Sequence, residues 1–310
     1  MTSSVNKAPT LPASHGSLPP EGASPALGRP GGSLQAPTLP ASRGSLPPEG
    51  ASPALGRPGG SLQAPTLPAS AARRTRIKVC GLTREDDVDA AVAAGVDAVG
   101  FVMYRQSPRY VSPARAAELA RRLPPFVTPV LLFVNEDTTN IIAVCDQLAG
   151  AIIQFHGDES PSQCRAAALA THRNFLRAAR IPLDGATPFD LVKFGLAFAD
   201  AQAILLDAHV DGYGGAGKTF NWSLLPPSVN AHLVLSGGLT PANVGDGILQ
   251  VRPRCRSLAV DVSSGVEVSA PGGGTLKGIK DAAKIQQFVA AVRAADAQLA
   301  GSSHAPLPTT

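Results

Sequence analysis

From residue 77 onward, short apolar runs alternate with longer stretches in which apolar and polar positions mix at helical spacing. The runs at 77–81, 98–102, 128–134, 151–155, 175–181, 203–207, 232–236 and 257–262 predict eight strands. Helices are predicted over 113–122 and 138–148, from Ser160, from near Pro188, and over 280–298. Local signals support this reading. Thr83 is placed to cap a helix whose first turn, Glu85-Asp86-Asp87, is acidic, as the positive end of a helix favours. Pro161 falls at the first helical position, where its missing N–H costs nothing. The strand candidates are apolar on both faces, the pattern of strands covered on both sides. Eight strand–helix units in about 225 residues predict one closed (β/α)₈ barrel of the TIM type, an α/β fold. A doubly wound open sheet is the rival, and it rarely needs eight units in so short a span.

The first part of the chain breaks the pattern, and composition explains why. Residues 8–35 read APTLPASHGSLPPEGASPALGRPGGSLQ, and 36–63 repeat them with His15 replaced by Arg43; a third copy begins at Ala64. Fourteen prolines fall within the first 70 residues, too many for helix or ladder pairing. Every Phe, Tyr, Trp and Cys lies beyond residue 76, so this stretch has no material for a core. The expected organisation is a disordered Pro/Gly/Ser-rich repeat extension over 1–75, a barrel over 76–300 and a disordered tail over 301–310. Charge divides the same way. Residues 1–76 hold seven Lys or Arg against two Glu, whereas the remainder holds 20 basic and 21 acidic residues. The pI near 9.0 therefore belongs to the extension and implies no basic groove for nucleic acid on the barrel. No run of about 18 apolar residues predicts a membrane span. Four cysteines without CxxC spacing suggest neither a disulfide framework nor a zinc site.

Polar and glycine-rich residues gather where the predicted strands end. Lys78-Val79-Cys80-Gly81 closes the first strand, Ser107-Pro108-Arg109-Tyr110 follows the second, and Gln154-Phe155-His156-Gly157 closes the fourth. Asp207 ends the sixth, with Gly214-Gly215-Ala216-Gly217-Lys218 in the loop after it. Ser236-Gly237-Gly238-Leu239 closes the seventh and Asp261-Val262-Ser263-Ser264-Gly265 the eighth. In a barrel of this kind the strand C-termini form one mouth, and chemistry sits there. Glycines after the last two strands let backbone N–H groups approach a phosphate, so Gly237, Gly238, Ser264 and Gly265 are the expected phosphate cradle. Strand side chains alternate, so Lys78 shares a face with Cys80; if Cys80 faces the mouth, Lys78 points into the barrel, where an unpaired ammonium is costly. The eighth strand closes against the first, so Lys78 is expected to pair with Asp261.

The segments KVCGLT, SPRYV, QFHG, LLDA, GGAGKTFNW, LSGGLTPANV and VDVSSGVE, in this order over about 76–292, closely resemble the phosphoribosylanthranilate isomerase family of tryptophan biosynthesis. The resemblance implies a (β/α)₈ barrel that converts N-(5-phosphoribosyl)anthranilate to 1-(2-carboxyphenylamino)-1-deoxyribulose 5-phosphate without cofactor or metal. It implies Cys80 as general base, Asp207 as general acid and Arg109 as partner of the anthranilate carboxylate. Gln154 and Asp261 are expected to contact the substrate, although Gln154 is equally suited to a hydrogen bond within the barrel. The implied enzyme is cytoplasmic, acts on a small phosphosugar, and is a monomer or homodimer with no nucleic-acid or membrane partner. Asn221, Ala216 and the longer loop at 271–276 depart from the family pattern without touching the acid or the base. A sister phosphosugar barrel would need a Lys-Glu set or paired Asp residues, and a non-catalytic scaffold barrel would need neither Cys80 nor Asp207. Cys145, Cys164 and Cys255 read as small buried hydrophobes, and His156 as a structural histidine. Lys78 and backbone N–H groups are expected to lower the Cys80 thiol below its ordinary range.

Overall fold

The computed structural model describes residues 74–183, 189–208 and 219–302. The repeat extension up to residue 73, the helix start near Pro188, the Gly214–Lys218 loop with Ala216 and the tail from residue 303 lie outside the described residues. The apolar runs form β1 (Arg76–Cys80), β2 (Ala98–Val102), β3 (Thr128–Phe133), β4 (Ile152–Phe155), β5 (Phe175–Ile181), β6 (Ala203–Ala208), β7 (Val229–Leu235) and β8 (Cys255–Val262). These pair in parallel and in chain order, and β1 closes against β8. The alternation of each strand sorts its side chains. Ile77, Val79, Leu131, Phe133, Leu258 and Val260 face outward into the main core beneath the helices. Val130, Leu176, Ala178, Ala203, Leu205 and Val234 form a separate plug inside the barrel. Lys78 and Cys80 are out of step with Ile77 and Val79, so they point inward with the plug.

The covering helices are α1 (Glu85–Ala93), α2 (Pro113–Ala120), α3 (Thr138–Cys145), α4 (Pro161–Thr171), α5 (Leu191–Ala197), α6 (Val244–Val251) and α7 (Ala282–Ser302). Ser160 and Gln163 form a reciprocal capping box on α4, with Pro161 at its first turn as expected. Between β6 and β7 the described residues hold a 3₁₀ turn, Trp222–Leu224, in place of an eighth helix. Two local expectations are corrected. Thr83 does not cap α1; its hydroxyl donates to the Gly278 carbonyl at 2.6 Å, and Arg84 occupies the cap position without a side-chain bond. Lys280 is not helical. It ends an antiparallel hairpin, β9 (Glu267–Ser269) with β10 (Thr275–Lys280), which was not anticipated after β8. The longer loop at 271–276 includes its turn, with Gly272, Gly273 and Gly274 at positive φ. Arg74 and Thr75 precede the expected start of the barrel, yet Thr75 is buried and donates its N–H to Asp296 of α7 at 2.8 Å. Among the described residues no helix is long and apolar enough to cross a membrane.

Candidate active site

Two ion pairs are built into the mouth. The ammonium of Lys78 donates to both oxygens of Asp261, at 3.0 and 2.9 Å, in the direct β1–β8 register. Both residues are buried, and the pair expected from strand alternation is present. Burial acts to lower the Lys78 ammonium, but Asp261 and the neighbouring Cys80 outweigh it and hold Lys78 above its ordinary value. The second pair was not anticipated. Arg109 donates from Nε and Nη2 to the carboxylate of Glu267, at 2.7 and 2.9 Å, in a bidentate geometry. Glu267 also accepts from Thr275 Oγ1 at 2.8 Å, the Gly278 N–H at 2.9 Å and Lys280 Nζ at 3.2 Å. Burial alone would raise this carboxyl; Arg109, Lys280 and the Gly278 N–H bring it down to about 2. The hairpin thus fixes Arg109 from behind and leaves it lining the pocket.

Cys80 ends β1 opposite Gly100 of β2. A Cβ at Gly100 would stand 2.6 Å from the Cys80 sulfur and 3.1 Å from Lys78 Nζ, so only glycine leaves room for both groups. The thiol differs from expectation: burial pushes it above its ordinary range, and Lys78 and Lys280 only partly offset this. The reason is geometric, because Lys78 already faces the charge of Asp261, which itself acts to raise the thiol.

Across the mouth, Asp207 lies on β6, three strand steps from β1 by way of β8 and β7. Its Oδ1 accepts from the Ala208 N–H at 3.0 Å, and its Oδ2 is 2.9 Å from His156 Nε2. His156 Nδ1 is in turn 3.0 Å from Gln154 Nε2. Gly237, at φ 77, lets the β7 loop close over this carboxyl; a Cβ there would come within 2.8 Å of Asp207 Oδ1. The Gly238 carbonyl accepts from Asn243 Nδ2 at 3.0 Å, which pins the same loop.

Cys80, Arg109, Gln154, Asp207, Gly237, Gly238, Asp261 and Ser264 all line one pocket, the only one of the expected set standing apart from its wall being Gly265. Gly265 packs behind, where a Cβ would overlap the Leu239 carbonyl at 1.9 Å. Glu267 and Lys280 were missed as site-forming residues, and His156 was expected only as structure. The SSGVE segment contained Glu267, but nothing local signalled that a hairpin would fold it back onto Arg109. The arrangement offers a thiol and a carboxyl on opposite sides of a cleft, a guanidinium along one wall and the backbone of Gly237 and Gly238 along another. No group of side chains suited to a metal occurs among the described residues.

A family model described as N-(5'phosphoribosyl)anthranilate (PRA) isomerase matches residues 77–291. An N-(5'-phosphoribosyl)anthranilate isomerase of Methylibium petroleiphilum is 59% identical over 230 residues, 74% of this chain and 99% of that protein. One from Dechloromonas aromatica is 56% identical over 223 residues, 72% of this chain and 98% of that protein. Among solved structures, phosphoribosyl anthranilate isomerase from Thermotoga maritima superposes with a TM-score of 0.61 at 38% identity, covering 71% of this chain and 99% of its own. Another, solved with reduced 1-(o-carboxyphenylamino)-1-deoxyribulose 5-phosphate, gives 0.59 at 35% identity with coverage of 71% and 99%.

Proposed function

The chain belongs to the N-(5'-phosphoribosyl)anthranilate isomerase family, and from that premise we propose that it carries out the Amadori rearrangement of N-(5-phosphoribosyl)anthranilate by general acid/base catalysis. The product is 1-(2-carboxyphenylamino)-1-deoxyribulose 5-phosphate, the third step of the chorismate-to-tryptophan branch. The observation that carries the reading is the placement of one thiol and one carboxyl, facing inward from β1 and β6, in a single pocket. Asp207 donates its proton to the ribose ring oxygen as the C1–O bond breaks, and the nitrogen lone pair forms the C1=N bond of a Schiff-base cation. Cys80, as thiolate, removes the C2 proton, and that electron pair neutralises the cation to give an enolamine. Ketonisation moves one proton from O2 to C1. One proton passed from Cys80 back to Asp207, through water, resets the site.

In this reading Arg109 clamps the anthranilate carboxylate, held in aim by Glu267. Backbone N–H groups of Gly237, Gly238, Ser264 and Gly265 receive the 5-phosphate. Gln154 and Asp261 face the sugar from the inner wall. The reading is tested by mixing the protein with freshly generated phosphoribosylanthranilate and following its fluorescence. Rapid loss of the signal is expected; a signal that decays no faster than without protein would refute the proposal.

A further inference from the structure

His156 uses both ring nitrogens on groups that line the pocket, which a packing histidine has no reason to do. Its Nδ1 faces the amide nitrogen of Gln154 at 3.0 Å, and an amide NH₂ only donates. With the amide of Gln154 placed this way round, Nδ1 accepts and the imidazole proton falls on Nε2, 2.9 Å from Asp207 Oδ2. The backbone that carries the ring is pinned on both sides. The backbone N–H of His156 donates to the Phe133 carbonyl at 2.9 Å. Arg177 donates to the carbonyls on either side of it, Phe155 at 3.2 Å and Gly157 at 3.1 Å. Glu159 accepts from the Gly157 N–H at 3.0 Å.

From this we infer that His156, with its tautomer set by Gln154, is a positioning residue that prepares Asp207 to lose its proton; the inference rests on the isomerase reading above. Asp207 begins ring opening as a neutral acid and ends it as an anion. A donor on each carboxyl oxygen, the Ala208 N–H on Oδ1 and His156 Nε2–H on Oδ2, grows stronger as that charge develops. Both donors are in place beforehand and need no reorganisation, so they favour the transition state more than the ground state. They also fix the carboxyl plane, which leaves its proton to point into the pocket. A histidine in the opposite tautomer would instead present a bare lone pair to Oδ2 and would hold the acid's proton back from the sugar.

Two measurements test this. Nitrogen-15 NMR of the histidine-labelled wild type should show one imidazole locked as Nε2–H, assigned to His156 by its loss in His156→Gln. Gln154→Met should let that ring exchange between tautomers. In turnover, His156→Ala should lower kcat on the order of 100-fold with KM within about 3-fold, the pattern of a lost transition-state interaction. His156→Gln keeps an amide donor near the Nε2 position and should recover at least about tenfold of that loss, which restored packing alone would not do. An Nδ1–H tautomer in an active wild type overturns the role, as does a Gln variant no better than Ala, or an Ala variant with unchanged kcat. Should His156→Ala fail to fold, the wild-type tautomer decides. A wild type that shows the Nε2–H form but no turnover refutes the isomerase reading, and this role with it.

Discussion

Lys78 and Cys80 share one face of β1, yet the ammonium is divided between the thiol and Asp261, and burial dominates the thiol. The active form of a base is the deprotonated one, so a thiol held above its ordinary range makes activity rise with pH. The wild-type kcat/KM should climb from neutral into the alkaline range with an apparent pKa above that of a free thiol. A plateau already reached at pH 7 would show that Cys80 ionises more easily than its surroundings imply. Cys80→Ser should lose several orders of magnitude in kcat with little change in KM, since a hydroxyl is far too weak a base. Near wild-type turnover in that variant would remove Cys80 from the role. Gly100 matters for the same atom. Gly100→Ala should lower kcat more than it lowers the melting temperature, because the added carbon falls 2.6 Å from the sulfur. A substrate titration alongside a thermal melt separates the two.

At the scale of elements, the strands were legible because a run covered on both faces is apolar throughout. Alternation put Lys78 on the same face as Cys80, and a Cys80 at the mouth made that face the inner one; Asp207 and Asp261 were legible from their places at strand ends. What could not be read was any contact made by an inserted segment. Thr83 looked like a helix cap because its neighbours are acidic, but its hydroxyl is taken by Gly278, nearly 200 residues away (the separation is 195). Lys280 looked helical because it adjoins α7; the true boundary is Asp281, whose carboxylate accepts from the Lys284 N–H at 3.1 Å. The β9–β10 hairpin brings Glu267 and Lys280 to Arg109, and that arrangement has an acid signature. Glu267 is depressed to about 2 in the folded chain, so its stabilising contribution is present above the ordinary glutamate range and is lost as pH falls toward 2. Glu267→Gln leaves two buried cations without their carboxylate and should cost about 3–5 kcal/mol in urea unfolding at neutral pH. It should also flatten the decline of stability with acid. A cost below about 1 kcal/mol would mean that the hairpin holds Arg109 by other means.

For the molecule as a whole, the barrel's two ends are sewn together away from the mouth. Thr75, ahead of β1, is bound by Asp296 and by Arg293, which donates to its carbonyl at 2.8 Å. The chain therefore enters at the strand N-termini, while Cys80 and Asp207 sit at the opposite, C-terminal ends. The extension before it is rich in proline and lacks aromatic residues, so it has little apolar surface to dock. Removing residues 1–70 should leave turnover and melting temperature essentially unchanged, and a truncated protein that loses most of its activity would contradict this.

The seam between β1 and β8 also orders events in time. Lys78 is made early in synthesis and waits for Asp261, 183 residues later, so a ribosome-bound chain carries the unpartnered ammonium until the last strand emerges. Until then β1 and β7 are open edges, and the ring can close only as a late step. Contacts made late leave the folding rate untouched and govern how fast the finished ring reopens. Asp261→Asn should accordingly speed unfolding on the order of 100-fold or more in stopped-flow denaturant jumps while refolding proceeds at the wild-type rate. Slowed refolding would place the seam in the nucleus. If it closes last, the Lys78–Asp261 pair is the latch that determines how long a completed molecule survives.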